Sequence, residues 1–181
     1  MDANGLGVGL VDFMVKPQTD PETGEVFPSF GVLNDDDGLY RKYKTIDTVA
    51  DAMYLIKANA PINTEAYSYA QVQMASGRIK FLIDEAAAKV KLMSTRHGQN
   101  MNADERNEYL KPFVQTSILR EQILNLVQSN EGVNIILKQS SRGIPKDKFS
   151  AFIYGLYYIK KEEERKKKRS NFDISDLLLF N

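Results

Sequence analysis

The stretch from Asp147 to Arg169 sets the terms for the rest of the chain, because it reads as one helix made of two chemistries. It is apolar through Ile159 and almost wholly charged from Lys160 to Arg169. An apolar helical face needs a core to cover it and a charged one needs water, so the first part is expected buried and the second projecting into solvent. A continuous helix over this span is about 34 Å long at about 1.5 Å per residue. Glu162, Glu163 and Glu164 stand four residues before Lys166, Lys167 and Lys168, an orientation that favours the helix by roughly 0.2–0.5 kcal/mol per pair. The end of the chain, Phe172 to Phe180, alternates apolar and polar residues before Leu177-Leu178-Leu179-Phe180, and needs a surface to bury it. The reading therefore divides the chain into one domain over residues 1–169 and a tail over 170–181.

A core large enough to receive that helix is within reach. The chain has 181 residues, 43% apolar and 27% charged, which is ordinary for a single globular domain. The absence of cysteine removes disulfides, thiolate catalysis and cysteine-zinc sites together, and His97 is the only histidine. Chemistry, where present, falls to carboxylates, lysines or hydroxyls. Lys and Arg balance Asp and Glu at 24 each, so the net charge favours neither nucleic acid nor membrane. No run approaches the roughly 18 to 20 apolar residues of a membrane helix, and no leader pattern opens the chain, so an intracellular protein is expected.

Periodicity and punctuation predict the other elements. Leu6, Leu10, Phe13 and Met14 fall at helical spacing before Pro17, giving a helix from Leu6 to Lys16. Phe30 to Leu33 suits a short strand, and the apolar run Ala52 to Lys57 a buried one. A helix capped by Asn63 and stopped by Gly77 follows, then a strand over Arg78 to Ile83 and a helix over Glu85 to Met93. Ser94 to Met101 reads as a polar loop. Asn102 and Glu105 form a capping box that opens a helix interrupted or restarted at Pro112, with Phe113 to Gln128 helical and Gly132 ending it. Val133 to Lys138 is a strand by composition, and Ser140 to Pro145 a loop that delivers Asp147 to the final helix.

Two features stand out as chemistry. The first is Asp2-Ala3-Asn4-Gly5-Leu6-Gly7, a glycine-rich turn that leaves an aspartate where a strand end approaches a helix start. It fails the dinucleotide fingerprint, because the sixth position of Gly-x-Gly-x-x-Gly is Leu10, and no phosphate-loop Gly-Lys-Ser/Thr occurs. The second is Asp147 at the first turn of a buried helix. By itself it reads as a helix cap contributing about 1 kcal/mol. Paired with an exposed strand-end aspartate, it reads as a ligand of a two-metal site, where acidic groups from separate elements converge on ions roughly 3.5 to 4 Å apart.

The residues that carry both features carry a resemblance. Met1 to Val11, MDANGLGVGLV, resembles the second acidic motif of the nuclease domain of tailed-phage large terminase subunits. Lys146 to Ile159, KDKFSAFIYGLYYI, resembles their last motif, a Lys-Asp pair opening the C-terminal helix. Between them Ile56-Lys57-Ala58, Ser76 to Phe81 and Leu119 to Leu126 fit the same family in the same order. The resemblance implies an α/β, ribonuclease H-like mixed sheet flanked by helices, cleaving double-stranded viral DNA at the start and end of packaging. Two Mg2+ or Mn2+ ions would be held by an acidic triad, with Asp2 second and Asp147 third. The family's first acidic residue lies on an opening strand with no counterpart here, and the packaging ATPase precedes it. An N-terminally incomplete domain, inactive or severely impaired alone, is therefore expected. The resemblance also implies DNA as partner, the portal protein and other terminase subunits as further partners, no membrane, and the host cytoplasm as location.

Other residues carry paired readings. Lys146, Lys148 and Arg142 could meet phosphate beside Asp147 or simply be solvated. Arg165, Lys166, Lys167, Lys168 and Arg169 form the one local basic excess, a DNA-binding end of the helix or a solvated face. The alternative to a nuclease is a non-catalytic assembly module that holds DNA or the portal through this basic helix and the apolar tail. His97 reads as an exposed histidine in a loop. Asp35, Asp36 and Asp37 fail the calcium-loop pattern, since position twelve is Ile46, and read as solvated. Tyr154, Tyr157 and Tyr158 sit at core-packing spacing.

Overall fold

The computed structural model describes residues 6–45, 48 and 50–178, with side chains from residue 9 to residue 168 within that set. It is a mixed structure of helices and small sheets that divides into two compact units, residues 1–63 and 64–181. The sequence reading placed no boundary there. The three sheets of the described residues have two strands each.

In the first unit, helix α1 (Leu6–Met14) precedes an antiparallel pair, β1 (Gln18–Thr19) with β2 (Val26–Phe27). The link between these strands is fixed by Asp20, whose Oδ1 accepts from the N–H groups of Glu22 at 2.7 Å and Thr23 at 3.2 Å. Those two bonds hold its carboxyl below the usual range. Strand β3 (Gly31–Val32) then pairs in parallel with β4 (Asp51–Met53), across a 3-10 turn at Arg41–Tyr43. A Cβ on Gly31 would lie 2.0 Å from Asp51 Oδ1, so a side chain at residue 31 would displace the Asp51 carboxylate. Val11, Val15 and Met53 form the core, with Met14, Val32, Tyr40, Tyr43 and Leu55 packed against it. The strand expected through Lys57 stops at Met53. Beyond it Asn34 donates to the Leu55 carbonyl and accepts from its N–H, both at 2.8 Å, and Ile56 makes a single β-bridge.

The second unit is built on helix stripes, and the first of its helices begins in the last residues of the first unit. Helix α2 (Ala60–Ala75) begins three residues before the expected cap. Asn59, not Asn63, accepts the N–H of Ile62 at 2.9 Å. It ends as expected, with Gly77 at φ +69° and the N–H of Arg78 on the Gln73 carbonyl. Arg78 to Ile83 is an unpaired segment rather than a strand; alternation has nothing to align without a neighbouring strand, and Phe81 packs its ring 5.8 Å from Phe152. Helix α3 (Glu85–Met93) is capped by Asp84, which accepts from Ala87. The expected loop after it holds a short helix, α4 (Arg96–Asn100), capped by Thr95. Gly98 makes this corner possible, since a Cβ there would meet the Leu92 carbonyl oxygen at 2.2 Å. His97 is exposed on α4.

Helix α5 (Ala103–Leu124) opens with the expected capping box and runs through Pro112 without breaking. Packing against α3 and α6 (Asp147–Leu178) offsets the hydrogen bond that proline removes. The helix ends at Leu124, however, and Leu126 to Glu131 is a strand. That strand, β5, forms a hairpin with β6 (Asn134–Gln139) over six residue pairs. Gly132 at φ +62°, followed by a residue without positive φ, gives the sign pattern of a two-residue hairpin turn. Asn125 closes the open end of the hairpin, accepting from Ser141 N–H and donating to the Ser141 carbonyl, both at 2.9 Å.

Candidate functional site

Helix α6 buries Phe149, Ile153 and Tyr157, one residue per turn, and α2 buries the small side chains of Ala66 and Ala70. Tyr67 of α2 stacks on Phe149 at 6.0 Å. Tyr157 is the core tyrosine of the expected three, while Tyr154 and Tyr158 are half-buried. This packing fixes where the first turn of α6 emerges, and Asp147 is its first residue.

The cap of that turn comes from elsewhere. The Lys146 carbonyl accepts the N–H of Ser150 at 2.9 Å, and the N–H of Phe149 donates to Oε1 of Gln122, on α5, at 3.0 Å. Gln122 is 2% exposed, so its amide is a buried acceptor committed to this one turn. Lys148 adds a second tie, its ammonium donating to Oε1 of Gln115, also on α5. The cap reading of Asp147 thus fails for a stated reason: a buried glutamine serves the donor that the aspartate would have served. The carboxylate of Asp147 is left exposed and takes no hydrogen bond or ion pair from a described residue. Sequence reasoning missed Gln122. Its signal is position, four residues after Ile118 and facing inward among apolar neighbours.

Lys146 and Arg142 are exposed on either side of Pro145, and Lys148 is half-buried through its bond to Gln115. Asp2 lies outside the described residues. Among the described residues no group of three or more His, Asp or Glu is placed to hold a metal ion.

At the charged part of α6 the structure divides what the sequence left whole. Lys160 and Lys161 do not project; their side chains are 22% and 29% exposed, and both ammoniums donate to Oε1 of Glu65 on α2. Lys161 also lies 5.0 Å from the ring centre of Tyr157. The bonds from Lys160 and then Lys161 hold the Glu65 carboxyl below its usual range. Burial alone would lower Lys160, but its bonds to Glu65 and Glu164 raise it. The ion pairs along the helix are Lys160–Glu164 at 3.3 Å, Lys161–Glu164 at 3.4 Å and Arg165–Glu162 at 2.7 Å. They replace the expected pairs of Glu162 to Glu164 with Lys166 to Lys168: Arg165 takes Glu162, the Tyr69 hydroxyl donates to Glu163 at 3.3 Å, and Lys160 and Lys161, drawn onto Glu65, take Glu164. Lys166, Lys167 and Lys168 are exposed, and the side chain of Arg169 lies outside the described ones.

In the first unit, Asp35 is not merely solvated: its Oδ2 accepts the N–H of Tyr40 at 3.0 Å, closing the acidic turn, while Asp36 and Asp37 are exposed. No helix among the described residues is long and apolar enough to cross a membrane. Comparison with protein-family models, with curated proteins and with solved structures finds no match for this chain.

Proposed function

We propose that the chain is part of a phage large-terminase nuclease that cuts double-stranded DNA during genome packaging, with Asp147 and Asp2 as ligands of a divalent-metal pair. The observation that carries this reading is the first turn of α6. An aspartate that could have capped its own helix is instead left exposed and unpaired, while a buried glutamine and a tied lysine hold the backbone beneath it. A hard oxygen donor on an anchored turn, flanked by Lys146 and Arg142, suits Mg2+ or Mn2+ beside a phosphodiester. One carboxylate does not hold two ions, and the described residues place no group of three or more acidic or histidine side chains around it, so the proposal adds Asp2, outside them, as a second ligand. The ribonuclease H-like mixed sheet belongs to the same proposal.

Calorimetric titration of the chain with Mn2+ tests it. A saturable site is expected, lost in Asp147→Asn and in Asp2→Asn with circular dichroism unchanged. A folded wild-type chain without that site, or an Asp147→Asn variant that keeps it, overturns the reading. Nicking of supercoiled DNA by the chain alone is expected to be absent or severely reduced.

The exposure of Lys166, Lys167 and Lys168 favours a second reading, an assembly module that meets DNA or the portal through the distal half of α6. In that case DNA affinity without metal falls steeply with salt, and the Mn2+ titration is flat.

A further inference from the structure

The first unit contains a cationic arrangement that none of the residues discussed so far explains. Lys16, just past α1, and Lys42, in the 3-10 turn, place their ammoniums 5.2 Å and 4.9 Å from the centre of one ring, that of Tyr43. Both lysines are exposed. Two like charges are thereby held within about 10 Å, roughly one Debye length at 0.1 M salt. Each gains roughly 0.5–1 kcal/mol from the ring face and each opposes the other.

Two carboxylates near the ring are engaged elsewhere, while Asp36, on the same pocket as Tyr43, is exposed and pairs with neither lysine. Asp51 binds Lys44 through both oxygens, at 2.8 Å and 2.7 Å, and Asp35 closes its own turn on Tyr40. Among the described residues neither Lys16 nor Lys42 takes a carboxylate partner. Tyr43 itself is anchored, since it packs against the Val11, Val15 and Met53 core. A rigid aromatic post with two unneutralised ammoniums on it is suited to an anion with closely repeated charge. A nucleic-acid backbone offers one negative charge per roughly 1.7 Å of duplex axis.

We propose that Lys16 and Lys42, gathered on Tyr43, are a DNA-phosphate contact of the first unit, distinct from the Asp147 region and the basic run of α6. The choice of double-stranded DNA as the polyanion rests on the nuclease reading above. The juxtaposition of the two lysines does not.

The test is fluorescence anisotropy of a labelled duplex with the full chain in EDTA, over a series of KCl concentrations. The double variant Lys16→Ala/Lys42→Ala is expected to bind about tenfold more weakly at low salt. Its slope of log affinity against log salt should be shallower by about 2, near 0.9 per lost phosphate contact. Lys16→Arg/Lys42→Arg, which keeps both charges, is expected to keep affinity and slope. Protection of Lys16 and Lys42 from acetylation by bound duplex gives a second readout on the unmutated chain. Unchanged affinity, slope and acetylation overturn the proposal, as does a wild-type chain that binds no duplex. Because EDTA removes divalent ions, this result is independent of the Mn2+ titration. A flat titration with a lysine-dependent DNA slope would sink the nuclease and leave the contact standing, and the converse would do the reverse.

Discussion

The two ends of α6 carry charge in opposite ways. At its start a single exposed carboxylate, Asp147, stands on a turn whose backbone is tied down by Gln122 and Lys148. Further along, lysines are plentiful, but the first two are drawn onto Glu65 and those that remain free, Lys166 to Lys168, have no tertiary anchor among the described residues. Exposure of a charge therefore does not define its role. Asp147 is exposed on a turn whose Phe149 N–H is held by a buried acceptor, whereas Lys166 to Lys168 only reach solvent.

Breaking the shared foundation tests the comparison most severely. Ile153 is 2% exposed at the middle of the buried stripe. Ile153→Ala is expected to cost roughly 2–5 kcal/mol in chemical denaturation and to disorder both ends of the helix. A smaller effect would mean that the stripe does not carry the helix.

Gln122→Leu isolates the anchored end. It leaves the Phe149 N–H without its buried acceptor and is expected to cost roughly 1–3 kcal/mol, with faster amide exchange at residues 147–149. Gln122→Glu retains an acceptor oxygen and should restore slow exchange there. Equal exchange in all three proteins would show that the turn is held by something else.

The Glu65 junction has a pH signature. Its carboxyl is held low in the folded state by Lys160 and Lys161, so its contribution is complete above the unfolded carboxyl range and disappears as pH falls through the folded value. Acid titration of stability should therefore be less steep in Glu65→Gln. At neutral pH the loss is expected to be about 1 kcal/mol or less, because the pair is partly solvated.

The smallest effect belongs to the free end. Replacing Lys166, Lys167 and Lys168 together by Ala should shift stability by no more than about 0.5 kcal/mol, while DNA affinity at low salt drops. A stability loss comparable to that of Gln122→Leu would erase the distinction between the two ends.

How far the sequence showed this arrangement depends on the range of the interactions involved. The capping box at Asn102 and Glu105, the stop at Gly77, the helix over Glu85 to Met93 and the buried start of α6 were legible, because each depends on residues within a turn or two of one another. The switch from α5 to β5 was not. Leu126 and Val127 continue a helical apolar pattern, and they leave it because β6 and Ser141, farther along the chain, offer a ladder and two bonds to Asn125. The alternation of Arg78 to Ile83 promised a strand that no neighbour completes. Glu65 drawing in Lys160 and Lys161 joins residues more than ninety positions apart.

By itself the sequence determined most of the helices, though not α4 or the end of α5, together with which face of α6 is buried and where an aspartate would open it, since propensity, capping and periodicity are local properties of the chain. Tertiary structure alone decided that this aspartate does not cap its helix, and which lysines are bound and which are free. Those outcomes depend on which distant donor or acceptor reaches a group first, and folding, not spacing, brings that partner within bonding distance.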